Sequence, residues 1–187
     1  MLEIIALKLI TSLTGFLFEG YLDTFKYSKI DGAPSWYGNS GNSSQLVGYG
    51  YYKGGIETIY LAQNECKHDI ENKITKGIEI SIYDNFKFIK DPKEKEFLSR
   101  VQYDAELKIF IDKNVKYERI EHFLETKETL FKDRRKHDET FAGCMISKDT
   151  ILFYQKERMA KIRKDLLDFK AKRGQDELDN ELENNGK

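Results

Sequence analysis

The feature that most constrains this chain is a run of apolar residues behind Gly54-Gly55. Ile59, Ala62, Cys66, Ile70, Ile74 and Ile78 recur at intervals of three and four. That spacing lays them along one stripe of a 3.6-residue helix, so it predicts a long amphipathic helix to about residue 84. A stripe of this length needs a second layer to cover it, and the preceding segment supplies one. In Gln45–Tyr52, Val47, Tyr49 and Tyr51 alternate with Gly48 and Gly50, which is the period of a strand. Asp91-Pro92-Lys93-Glu94 reads as another helix start, with Asp91 as the cap, Pro92 at the first helical position and Glu94 completing a capping box. Phe97, Val101 and Ala105 are expected on its inner face, with Ile109 a turn later.

Val115–Leu124 is β-branched and aromatic enough for a strand, and Thr140–Ile146 for another. The charged run Lys132–Glu139 between them reads as a hairpin tip. Ser147 or Asp149 can cap a last helix, in which Leu152, Met159, Ile162, Leu166 and Phe169 keep the helical period. The order of these elements predicts an α+β fold, an antiparallel three-stranded sheet packed against long amphipathic helices. The chain divides into an apolar N-terminal helix at 1–27, the α+β domain at 31–169 and a charged tail at 170–187. The tail carries Asp176, Glu177, Asp179, Glu181 and Glu183 with only Leu178 and Leu182 as large apolar groups, and is expected to be frayed or disordered.

Residues 2–18 are the most apolar stretch, with Leu2, Ile5, Leu9, Leu13 and Phe16 at helical spacing. The stretch is shorter than the roughly 20 residues that span a bilayer, and Lys8 interrupts it. Glu3 stands where a signal peptide has basic residues, and no small-x-small cleavage site follows. Three readings stay open: a helix packed on the domain, an uncleaved tether making membrane contact, and a degenerate export signal.

Charge excludes one large class of partner. Lys plus Arg total 31 against 32 for Asp plus Glu, so nucleic-acid binding through bulk positive charge is not expected. The basic stretch Lys132, Arg134, Arg135 and Lys136 is broken by Asp133 and reads as solvated. Gly48-Tyr-Gly50 is not followed by the spacing of a dinucleotide site, nor by the Lys-Ser/Thr of a phosphate loop. Cys66 and His68 are two apart on a helix and point to different faces, while His122 and His137 lack ligand company, so no metal and no cofactor are expected. No Gly-x-Ser-x-Gly is present, and no catalytic residue is assigned. Cys66 and Cys144, the two cysteines, are expected to be buried reduced thiols acting as small apolar groups. A disulfide between them would require Cα atoms within roughly 7 Å. Asn42-Ser43-Ser44 fits a glycosylation sequon.

The loop 31–44 and the strand after it carry an aromatic stripe: Trp36, Tyr37, Tyr49, Tyr51 and Tyr52, opened by Pro34. Trp36 has two readings, a plug at one end of the sandwich and a contact between subunits. The order of parts resembles the small envelope-lipoprotein family typified by the twenty-kilodalton lipoprotein of spiral Gram-negative bacteria. The resemblance rests on Gly32-Ala33-Pro34-Ser35-Trp36, on the strand Val47-Gly48-Tyr49-Gly50, and on the turn Ile146–Asp149 before the last helix, and it covers roughly residues 31–168. It implies a non-enzymatic periplasmic or outer-membrane-associated protein that works by packing against other proteins; one relative assembles a basal disk around a flagellar motor. The chain departs from that family in having no lipobox cysteine and in placing Lys, Glu and Asn where relatives are alanine-rich. The expected partner is protein, either further copies of this chain or an envelope complex. The alternative is a cytosolic module that neutralises one partner, in the manner of an immunity or antitoxin protein.

Overall fold

A computed structural model describes residues 18, 20–22, 30, 32–39, 44–54, 57–101, 105–125 and 137–185. Alternation in the first strand, β1 (Gln45–Gly54), sends Val47, Tyr49 and Tyr51 to one face of the sheet and Leu46, Gly48, Gly50 and Tyr52 to the other. Helix α1 (Thr58–Phe86) lies on that second face. It approaches so closely that a Cβ on Gly48 would stand 2.5 Å from the carbonyl oxygen of Cys66, and one on Gly50 would stand 2.6 Å from the Cys66 nitrogen. The two glycines therefore form a notch in the strand that receives the helix backbone. Ala62, Cys66, Ile70, Ile74, Ile78 and Ile82 line the buried stripe of α1, as the spacing predicts, whereas Ile59 lies outside it, exposed.

Two short helices follow, α2 (Pro92–Val101) and α3 (Ala105–Asn114). The Asp91 carboxylate accepts the backbone N–H groups of Lys93 at 2.8 Å and Glu94 at 3.4 Å, a cap of the expected kind. Glu94 itself forms an ion pair with Lys170, 2.9 Å away. A continuous inner stripe from Phe97 to Ile109 does not form. The helix ends at Val101 and a new one begins at Ala105, so the inward positions restart at Leu107 and Ile111 while Ile109 is 70% exposed. Strands β2 (Lys116–Glu125) and β3 (His137–Ser147) complete an antiparallel sheet of order β1-β3-β2, confirming the α+β class. The register pairs Tyr49 with Gly143 and Tyr51 with Phe141, and on the other side Ile120 with Ala142. His137–Glu139 belong to β3, so the strand begins inside the charged run read as a turn; Lys132–Lys136 lie outside the described residues.

The last helix, α4 (Lys148–Asn185), starts where the Lys148 N–H is accepted by the Ser44 carbonyl at 3.0 Å. Ile151, Met159, Ile162 and Leu166 are buried, and Phe169 stacks on Phe97 of α2 at 4.9 Å. The tail from residue 170 is not frayed: α4 continues through it to Asn185. Arg173 bonds Asp91 at 2.7 Å and Glu177 at 3.4 Å, and Gln175 bonds Asp179 at 2.9 Å. Propagating a helix already nucleated on the core costs little, and these side-chain pairs support each added turn. Of the N-terminal segment, Phe18 and Leu22 are buried, with the Phe18 ring seated over Gly77 of α1. That end of the segment is packed on the domain; residues 2–17 lie outside the described residues. No helix among the described residues is long and apolar enough to cross a membrane.

Candidate interaction surface

Cys66 projects from α1 onto Cys144 of the central strand β3, and the two are joined as a disulfide with Cα atoms 6.1 Å apart. The expectation of two reduced thiols is thereby corrected. Both cysteines are fully buried, and Cys144 is opposite Gly48, whose missing side chain lets the helix come within bonding range of the strand behind it. Separate periodicities placed each cysteine on an inward face; only the stacking of helix on sheet made them neighbours.

The other face of the sheet carries the aromatic residues. Residues 32–39 lie on it, turned by two backbone hydrogen bonds of their own, Tyr37 N–H to the Pro34 carbonyl at 2.9 Å and Asn39 N–H to the Trp36 carbonyl at 3.3 Å. Gly38, at φ 81°, takes the left-handed conformation that this turn requires. Trp36 then lies over Gly143, stacks on Tyr49 at 6.3 Å, and donates its indole N–H to Glu121 of β2. Tyr37 packs edge-on to Phe141 at 5.1 Å, and Tyr51 tilts onto the same ring at 4.8 Å. The Tyr49 hydroxyl donates to the Asn39 carbonyl. Burial, with Asp69 and Glu65 nearby, pushes the Tyr37 hydroxyl up to about 12, so it stays a neutral donor.

Four of the predicted residues, Trp36, Tyr37, Tyr49 and Tyr51, are thus brought together, and Pro34 sits half-buried in the turn above them. Tyr52 is not among them. It is one residue out of phase in β1, so it points to the α1 side, 39% exposed. Trp36 does not plug an end of a sandwich; it covers the middle of the outer sheet face.

The two edges of the sheet are treated differently. At β1, the Tyr49 N–H is accepted by Asp69 at 3.0 Å and the Val47 carbonyl accepts from Lys73 at 2.9 Å. Asp69 and Lys73 are one turn apart on α1 and 2.6 Å from each other. Burial pushes the Asp69 carboxyl up to about 6 against the pull of the Tyr49 N–H, and pushes the Lys73 ammonium down to about 7. This pair occupies backbone groups that a further strand would use. At β2, Lys116–Ile120 are all exposed, as are His122 and Phe123, and among the described residues no side chain caps the outer edge.

Two further features lay beyond sequence reasoning. A cleft of 620 Å³ lies between α1, α3 and β2, with Lys67, His68, Glu71, Lys108, Asp112 and Tyr117 in its walls. Lys67 bonds Asp112 at 2.6 Å and stands 5.6 Å over the Tyr117 ring, an arrangement that raises its affinity for the proton. The polar positions 60, 64, 67 and 71 of α1 carried that face in the sequence, but nothing local showed that α3 stands across from it. Beside β2, His122 bonds Thr140 at 2.7 Å, and Thr140 donates to Thr58 at 3.0 Å. Both threonines are buried, which denies a substrate access to either hydroxyl. Among the described residues, no group of three or more His, Cys, Asp or Glu is placed to hold a metal ion. No family model, no curated protein and no solved structure matches this chain.

Proposed function

We propose that this chain is a non-catalytic protein-binding module of the cell envelope, working in an oxidising compartment such as the periplasm as part of a structural assembly. The observation that carries the reading is the Cys66–Cys144 disulfide, buried in the core between α1 and β3. Such bonds form and persist where glutathione and thioredoxin do not reduce them, and are rare in the cytosol. The disulfide weighs against the alternative of a cytosolic neutralising module. The sheet supports the rest of the reading: an aromatic outer face anchored by Trp36 and an uncapped strand edge are both means by which proteins adhere to proteins. The resemblance to the envelope lipoproteins supports the same reading, of an envelope scaffold such as that of a flagellar motor.

Fractionation of the source cells, with each fraction then denatured in a thiol-blocking maleimide so that the buried sulfurs are accessible, tests the reading. The expected result is recovery in the envelope or periplasmic fraction, with neither cysteine labelled until a reductant is added. Recovery in the cytosol with both cysteines labelled at once would sink it.

A further inference from the structure

We infer that the exposed edge of β2 is the site at which a second copy of this chain adds, giving a two-fold dimer with one continuous six-stranded sheet. The inference rests on reading the chain as a protein-binding module and names the partner. Its first support is the contrast between the edges. Asp69 and Lys73 hold the Tyr49 N–H and the Val47 carbonyl at β1, whereas the described residues leave the outer side of β2 open. An open edge is a template for another strand unless something blocks it.

The second support is the sequence of the edge itself. A two-fold axis normal to the sheet pairs antiparallel strands so that opposed side chains share a face, which restricts the register to steps of two residues. Arg119, Glu121 and Phe123 lie on the outer face, while Ile120 and His122 lie on the helix face. Centring the axis on Ile120 sets Arg119 opposite Glu121 of the second copy, Glu121 opposite its Arg119, and Ile120 against its Ile120. Moving the centre one residue either way sets Arg119 against Arg119 or Glu121 against Glu121. Opposite charges directly across a strand pair stabilise it and like charges oppose it, so of these three registers the one centred on Ile120 is favoured. Arg119 has no ion-pair partner among the described residues, and Glu121 uses one of its two carboxylate oxygens for Trp36. The irregularity between Tyr117 and Arg119 leaves Glu118 without a partner on β3, so the regular stretch open to pairing begins at Arg119. Ile120 and Phe123, 39% and 43% exposed, would be covered. Because β1 is blocked, the assembly closes at two copies.

Sedimentation equilibrium of the disulfide-intact chain at micromolar concentration tests this. Wild type is expected at twice the monomer mass of 21.9 kDa. Arg119→Glu and Glu121→Arg are each expected to be monomeric, since each sets like charges across the axis. Mixed in equal amounts they are expected to recover the double mass, because each then presents the charge the other needs; recovery also shows that both variants fold. A monomeric wild type overturns the inference, as does a dimer unaffected by either substitution. Loss of the dimer in both variants without recovery on mixing overturns the register. A monomer recovered from the envelope with its disulfide intact would remove the dimer and leave the proposed function standing.

Discussion

Reducing the Cys66–Cys144 bond removes a cross-link between residues 78 apart in sequence, and the size of the loss follows from that separation. In the chain-entropy account, a loop of this length restricts the unfolded ensemble by about 15 cal/mol/K, or about 4.5 kcal/mol at 25 °C. Unfolding of a chain this size shifts by about 2–4 °C per kcal/mol, so the midpoint should fall by roughly 9–18 °C. The buried position of both sulfurs means that reduction must wait for opening of the α1–β3 contact, so the native protein should resist mild reductant. Calorimetry or circular dichroism on three samples provides the assay: intact protein, protein reduced after unfolding and refolded in reductant, and the Cys66→Ser/Cys144→Ser variant. Both cross-link-free forms should melt well below the intact one. Equal midpoints in all three, with a native secondary-structure signal throughout, would refute the reasoning, because the bond would then constrain nothing that the packing does not already fix.

The glycine notch gives a second expectation. A Cβ at Gly50 would run into the backbone of Ala62 and stand 2.6 Å from the Cys66 nitrogen, atoms that cannot rotate away, so Gly50→Ala should cost about 3 kcal/mol in urea unfolding. Gly174→Ala, with open space around the Cβ in half-exposed helix, should instead gain up to about 1 kcal/mol; similar effects at both sites would contradict the packing argument. The Asp69–Lys73 pair gives the third. Asp69 binds its proton more tightly folded than unfolded, so between its ordinary value of 3.8 and about 6 its contribution to stability falls as pH rises. Lys73 holds its proton less tightly when folded, so between about 7 and 10.5 its contribution rises with pH. The stability of wild type relative to Asp69→Asn/Lys73→Met should therefore pass through a minimum near pH 6–7, with slopes of at most about 1.4 kcal/mol per pH unit. A difference that is flat from pH 4 to 10 would rule out a folded-state shift for either group.

By itself the sequence determined the elements whose signals are local. The apolar stripe of α1, the alternation in β1, the Asp91 cap and the buried positions of α4 all follow from backbone periods of 3.6 and 2, which neighbouring residues impose on one another. From these periods the α+β class was legible, and so was the shared face of Tyr49 and Tyr51. The tertiary structure decided what depends on distant residues meeting. Gly48 and Gly50, in sequence only the alternate positions of a strand, became the notch that brings Cys66 to Cys144. It also decided which sheet edge receives Asp69 and Lys73 and which stays open, because a strand's free N–H and C=O groups look the same in sequence whether or not a helix side chain reaches them. Periodicity tells a residue which way to face, and only the stacking of layers settles what it faces.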